Sequence, residues 1–432
     1  MRSLNNKARI HHFCFSLLAV TTLLFLQGCS SNGLNNSPWS NSQNTSTARQ
    51  EPNDLSKAAA ETSALQAPQS NAQQNLPNVR VAILLPLSGK HAKLGQSMLN
   101  SAQMALFDVG HSNFELIPKD TKGTPKGARS AAQSALQDGA QMVLGPIFSS
   151  SVNAAREVTQ AANVNMVAFS TDWTLANNRT FLIGFLPFDQ VERVVRYATA
   201  TNINRVGLIS PNDGYGNGVV SAYQSIASDA GVEVSRIERF SPRDKNLASV
   251  MNVFSDYDAR KSSNNQFGAP FDAVLMPVGG AQARQIGSFL NHYDLPPEQV
   301  RRLGTGLLDD PTLAQDRTLD GAWFAAPEPQ SRTKFERRYS ALYFSKPPRI
   351  ASLAYDATAL SAILARIGLN DNGRPAYTHS SITNPNGFSG IDGIFRFRPD
   401  GIVERGLAVM EYRNGRIVVI DKAPKTFQKH AF

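Results

Sequence analysis

Seven hydroxyl-bearing residues stand where a folded chain could put them to chemical use: Ser88, Ser149, Ser150, Ser151, Ser170, Thr171 and Tyr215. All but Tyr215 fall just after runs that read as β-strands, and ligands of open α/β sheets bind beyond the carboxyl ends of the strands. There, hydroxyls and the free backbone N–H groups of the following helix starts form a receptor for a carboxylate or another anion. The same residue types also serve as ordinary helix caps and turn formers. Asp120 and Asp309 lie at strand ends as well, and both read first as caps or surface groups.

Catalytic constellations do not emerge. There is no His-Glu-x-x-His helix and no cysteine pair for zinc, and Ser88-Gly89-Lys90 lacks the glycine spacing of a phosphate loop, so metal and nucleotide chemistry have no support. Gly214-x-Gly216-x-Gly218 departs from the dinucleotide fingerprint, and Gly387-Phe388-Ser389-Gly390 departs from a nucleophile elbow. Binding without a cofactor or metal is the expectation, and a non-catalytic protein with it.

The elements that would position these residues begin at Val79, where Val-Arg-Val-Ala-Ile-Leu-Leu reads as a buried strand and Leu94 to Phe107 as an amphipathic helix. Strand signals at Phe114 to Ile117, Met142 to Leu144 and Asn165 to Phe169 alternate with helix signals at Lys126 to Gln137 and Val152 to Ala162. That alternation implies a parallel sheet covered on both faces. A second series follows, with strands at Val206 to Ile209, Val232 to Ile237 and Ala273 to Met276, and helices at Gly218 to Asp229, Leu247 to Tyr257 and Ala281 to His292. Helices at Thr333 to Tyr343 and Ala351 to Ile367 could return to the first sheet. Turn signals at Pro399-Asp400-Gly401 and Arg413-Asn414-Gly415 point to antiparallel hairpins in the tail.

The N-terminus carries Arg2, Lys7 and Arg9 ahead of an uncharged apolar run from Phe13 to Leu26, the layout of an export signal. That run of 14 residues is short of the roughly 20 that a spanning helix needs. From Ser30 to about Asn78, Ser, Asn, Gln, Ala, Thr and Pro dominate and no apolar periodicity is sustained, so a disordered tether is expected. As a coil it would reach roughly 35 to 40 Å. The formal charge of +9 falls to about +6 once Arg2, Lys7 and Arg9 leave. Pairs such as Arg301-Arg302 and Arg337-Arg338 read as solvated faces, and nucleic acid is not an expected partner.

Leu26-Gln27-Gly28-Cys29 resembles the lipobox of bacterial lipoproteins, which implies acylation of Cys29 and anchoring to a membrane. In the Gram-negative lipoproteins that this segment resembles, Asp after the cysteine favours the inner membrane, so Ser30 implies the outer membrane, facing the periplasm. The folded part, about Val79 to Lys422, resembles the type I periplasmic binding proteins of the leucine/isoleucine/valine-binding class. The resemblance is carried by Ile83-Leu84-Leu85-Pro86-Leu87-Ser88-Gly89, by Leu144-Gly145-Pro146 ahead of Ser149, and by Asp213-Gly214-Tyr215-Gly216-Asn217-Gly218.

It implies an α/β fold of two Rossmann-like lobes with parallel sheets joined by a hinge, a Venus-flytrap, with Tyr215 facing the first-lobe hydroxyls. The expected organisation is a lipoprotein signal peptide at 1–28 and a lipidated tether at 29–78. Lobe 1 then comprises 79–200 with about 328–375, and lobe 2 comprises 201–327 with about 376–422. With Cys29 and the long tether, the chain looks most like the lipoprotein activators of penicillin-binding proteins, which implies a peptidoglycan synthase as partner. The alternative is a receptor that delivers amino acids or small peptides to an ABC permease; a wall hydrolase ranks last. Amino-acid receptors of this class place a carboxylate in the second lobe to pair with the ligand ammonium. The loop after Met276, Pro277 to Gln282, has no acid, which argues against ordinary amino acids unless Asp309 or Asp172 substitutes.

Overall fold

The computed structural model describes residues 77–110, 112–241, 247–263 and 268–428. The export signal, Cys29, Ser30 and all but the end of the tether lie outside the described residues. From Val79 the chain runs β1 (Val79–Leu85), α1 (Ala92–Val109), β2 (Phe114–Asp120), α2 (Pro125–Gln137), β3 (Met142–Leu144), α3 (Ser149–Ala161), β4 (Asn165–Ala168) and β5 (Thr180–Leu182). These strands form one parallel sheet in the order β2-β1-β3-β4-β5. β1 buries every side chain but Arg80, as a parallel strand covered on both faces must. Gly145, just past β3, has φ 83°, and a methyl there would stand 2.4 Å from the Leu84 carbonyl oxygen, so only glycine lets the chain turn this close to β1.

The second series is α4 (Pro187–Ala200), β6 (Arg205–Pro211), α5 (Gly214–Ala230), β7 (Glu233–Phe240), α6 (Leu247–Phe254), α7 (Tyr257–Ser262), β8 (Ala273–Leu275), α8 (Gly280–His292), β9 (Arg301–Gly304) and β10 (Trp323–Ala326). α9 (Pro329–Tyr343), α10 (Ala351–Asn372), α11 (His379–Ile382), β11 (Phe388–Gly390), β12 (Gly393–Phe397), β13 (Val403–Arg405), β14 (Ala408–Arg413) and β15 (Arg416–Asp421) complete it. The second sheet has the order β15-β14-β10-β9-β8-β6-β7, with β14 and β15 antiparallel at one edge. Asn414 and Gly415 take φ 52° and 72° at the β14–β15 turn, the left-handed pair that matches strand twist in a two-residue hairpin. α10 is buried along nearly its whole length, and its Leu353, Ala357 and Leu360 join the core of the first sheet.

Packing redraws two of the lobe boundaries read from sequence. Residues up to 200 were expected in lobe 1, but Val191, Val194, Val195 and Ala198 of α4 bury in one core with Val206, Leu208 and Val219. Residues from about 376 were expected in lobe 2, but Ile382, Phe395, Phe397 and Val403 bury in the first core, and Leu182 donates to the Gly401 carbonyl at 2.8 Å. Only β14 and β15 of the tail join the second sheet. The chain therefore crosses between lobes near 183–187, 326–329 and 405–408.

The Arg301-Arg302 pair is a further correction. Arg302 is 0 % exposed, because its guanidinium donates to the carbonyls of Thr318 (3.1 Å), Leu295 (2.8 Å) and Val300 (2.5 Å) and to Asn291 Oδ1 (3.1 Å). A buried cation persists where its donors are met in this way.

Candidate functional site

The three crossings and the loops that leave the strands enclose a cleft of about 690 Å³ between the two sheets. Thr171 follows β4 and Phe185 follows β5; Pro211 to Tyr215 follow β6, Pro277 to Gln282 follow β8, and Gly306 to Asp309 follow β9. The cleft thus stands at the carboxyl ends of the strands, where open α/β sheets bind ligands, and its volume suits a small solute. Its apolar wall is built from Phe185, Leu186, Val278, Leu307 and Ile350.

Two of the hydroxyl residues singled out from sequence, Thr171 and Tyr215, line this cleft. Burial pushes the Tyr215 phenol up to about 12, so its hydroxyl is neutral. Ser88 is committed elsewhere: its hydroxyl donates to Asp120 Oδ2 at 2.6 Å. Asp120 in turn accepts the backbone N–H groups of Leu87, Ser88 and Lys122, a turn-holding role. Ser149 and Ser150 are exposed at the start of α3, and Ser151 is buried in it. The Ser170 hydroxyl is buried and accepts the backbone N–H of Asp172, whose carboxylate caps the short turn at Thr174. None of these five serines, and neither Asp120 nor Asp172, is among the residues lining the cleft.

Asp309 corrects the reading as a cap or surface group. Its side chain is 5 % exposed, it lines the cleft, and it pairs with Arg332 (Nη2 to Oδ1 3.2 Å), with Arg349 Nε 3.9 Å away. Asp309 belongs to the second lobe and Arg332 to α9, whose Phe335 and Tyr339 pack on Met104 and Ala105 of α1. The pair therefore joins the lobes. With its charge answered by arginine, Asp309 is not free to take a ligand ammonium.

Sequence reasoning missed the crossing residues. Asp189, in the first turn of α4, lines the cleft and accepts the Arg405 backbone N–H at 2.7 Å. Burial pushes its carboxyl up to about 7, with Glu404 nearby adding to the rise, against that hydrogen bond. Arg405 also lines the cleft, 7 % exposed, with Nη2 donating to the Ile183 carbonyl at 2.6 Å. Behind it two carboxyls are fully buried. Burial and the neighbouring Asp392 push Asp356 up to about 7. Asp392 is held below the usual range despite its burial, by Arg349 (2.9 Å), Arg405 and the Ser352 hydroxyl (2.6 Å).

A mixed wall of apolar groups, neutral donors and buried charge, shared by two hinged α/β lobes, has known counterparts. Residues 78–416 match the periplasmic binding protein family. The chain belongs to that family. Within it, the chain is similar to the Leu/Ile/Val-binding protein BraC3 of Rhizobium johnstonii, at 25 % identity over 220 residues, 48 % of this chain and 58 % of that protein. The chain thus aligns with little more than half the length of that relative. Among solved structures it resembles an ABC transporter substrate-binding protein from Sphaerobacter thermophilus (TM-score 0.64, 17 % identity, 81 % of this chain and 98 % of that one). It also resembles one from Desulfitobacterium hafniense in complex with Leu (TM-score 0.59, 17 % identity, 79 % and 100 %). These establish the two-lobed fold, which is normally non-catalytic. The names of these relatives are those of a Leu/Ile/Val-binding protein and of ABC transporter substrate-binding proteins.

The raised Asp189 carboxyl makes stability depend on pH. Between about pH 4 and 7 the folded state keeps a proton that the unfolded chain has released, so stability falls as pH rises through that window, and the cost is fully present above 7. Asp189→Asn keeps an oxygen for the Arg405 N–H and removes the titration. The variant is expected to match the parent near pH 4 and to exceed it at pH 8 by on the order of 1–3 kcal/mol, discounted for the water in the cleft, as read from urea midpoints.

Proposed function

We propose that the protein is a receptor that closes its two lobes on a small solute and passes it to an ABC permease. The observation that supports it is the cleft of about 690 Å³ at the carboxyl ends of two parallel sheets, walled by both lobes and by their three crossings. In this reading Thr171 and Tyr215 contact the solute, Cys29 carries the lipid, and residues 29–78 are the leash.

Regulation of a peptidoglycan synthase would rest on the N-terminal anchor and the resemblance alone; no described residue and no named relative supports it. The anchor also separates the two readings. A receptor must work within reach of an inner-membrane permease, whereas the outer-membrane sorting read from Ser30 suits a synthase regulator.

Protein purified from its own cells should release, on denaturation, one small molecule in near-stoichiometric amount, and adding that molecule back should raise the melting temperature. Release of nothing, together with recovery of a wall synthase and no permease after cross-linking, would contradict the receptor reading.

A further inference from the structure

Five charged side chains line the cleft: Asp189, Asp213, Asp309, Arg349 and Arg405. The acids are each occupied by the protein itself. Asp309 is paired with Arg332; Asp213 caps α5 through the Gly216 N–H at 2.8 Å; Asp189 holds the Arg405 N–H. The arginines are answered in part, Arg349 by Asp392 at 2.9 Å and Arg405 by the carboxyls around it. Arg405 is more than nine-tenths buried, yet its Nε and Nη1 have no hydrogen-bond partner among the described residues. Arg349 keeps 32 % of its side chain exposed. The guanidinium carbons of the two lie 4.2 Å and 5.0 Å from the ring centre of Phe185, so one aromatic side chain in the cleft wall carries both cations. On the second-lobe side, α8 starts at the cleft through Gly279 and Gly280 with no acid in its first turn, adding the partial positive charge of a helix start.

Resting on the receptor reading above, we propose that the solute is an organic carboxylate with an apolar body and no ammonium group, its carboxylate received at Arg349 and Arg405 beside Phe185. The second-lobe wall contributes neutral donors, Tyr215 and Gln282, and backbone N–H groups. Of its acids, Asp309 is answered by Arg332, which leaves an ammonium only Asp213, whose Oδ1 already caps α5, and an ammonium without a partner there would be held poorly. Leu307, Val278 and Ile350 suit an aliphatic or aromatic body. The raised Asp189 carboxyl works in the same direction, since burial resists its ionisation and so weakens its repulsion of an incoming carboxylate.

The test uses the full chain and matched probes in calorimetry: leucine with 4-methylpentanoate and 4-methylpentanamide, and phenylalanine with 3-phenylpropanoate and 3-phenylpropanamide. In at least one series the acid is expected to bind about 10-fold or more tighter than its amino acid, and the amide about 10- to 100-fold weaker than the acid, the range of a charge-assisted hydrogen bond. Arg349→Gln is expected to lower acid affinity about 10-fold or more and amide affinity by clearly less, so that the acid-over-amide preference shrinks. Should that variant not fold, because Asp392 loses its partner, Arg349→Lys keeps the charge and should retain part of the acid preference. Amino acids that bind tighter than their deaminated counterparts would overturn the carboxylate assignment and leave the receptor reading standing. No binding by any probe, with no solute released from native protein, would remove both.

Discussion

Replacing Arg405 by methionine is expected to lower stability by about 3–5 kcal/mol at pH 8 and by less at pH 6. The guanidinium stands at the cleft wall with Asp356, Asp392 and Asp189 around it, and burial alone would keep their carboxyls protonated. Without the cation, carboxylates that are ionised at pH 8 lose their compensation, whereas at pH 6 Asp189 and Asp356 escape by holding their protons. The substitution also removes a cation seated over Phe185 and Phe395, at 5.0 and 5.5 Å, which adds a loss independent of pH. Urea midpoints of parent and variant at the two pH values check this; an equal loss at both would show that packing, and not charge, is what Arg405 supplies.

Asp309→Ala is expected to act on the relation between the lobes. Its carboxylate lies buried between Arg332 and Arg349, both carried by the first lobe, while its own loop packs through Leu308 and Leu313 into the second core. Removing it leaves Arg332 and Arg349, two cations of the first lobe, without the second-lobe carboxylate that answered them, a penalty of about 3–5 kcal/mol for a broken buried pair. The lobes can relieve that penalty by opening, since neither sheet depends on the contact. Small-angle scattering should then show a larger radius of gyration with little change in the cooperativity of unfolding. An unchanged radius with a large fall in melting temperature would place the pair among the supports of one lobe.

The main architecture was legible from sequence because each strand of the parallel sheets is locally apolar and each covering helix is amphipathic. β1, β3, β8 and their helices need no distant information. Two short strands escaped notice. β9 opens on Arg301-Arg302, whose charges mask a buried strand until the four acceptors of Arg302 are brought to it by the fold. β5 is only three residues long. α4 shows helical spacing at Val191, Val194, Val195 and Ala198, but spacing does not say which sheet it covers.

Similar reasoning explains the site. Strand-end logic brought forward Thr171, and with it serines used within their own turns and helix starts, while Tyr215 was marked by the family resemblance. Asp189 and Arg405 come instead from beside the crossings and Arg349 from the loop before α10, segments far apart in sequence that meet only once the chain is folded. Asp309 was visible as a strand-end acid, but its role depends on Arg332, which lies 23 positions later on the other lobe.

In the receptor proposed above, two hinged lobes close on a solute held between them. Cys14 and Cys29 are the only cysteines, so spin labels attached through Gln133→Cys on α2 and Ser225→Cys on α5, both exposed, report the inter-lobe distance once those two are replaced by serine. The account predicts that the distance shortens by more than about 2 Å, to a single narrow population, when the solute released from native protein is restored. A distance distribution unchanged at saturating solute would contradict it.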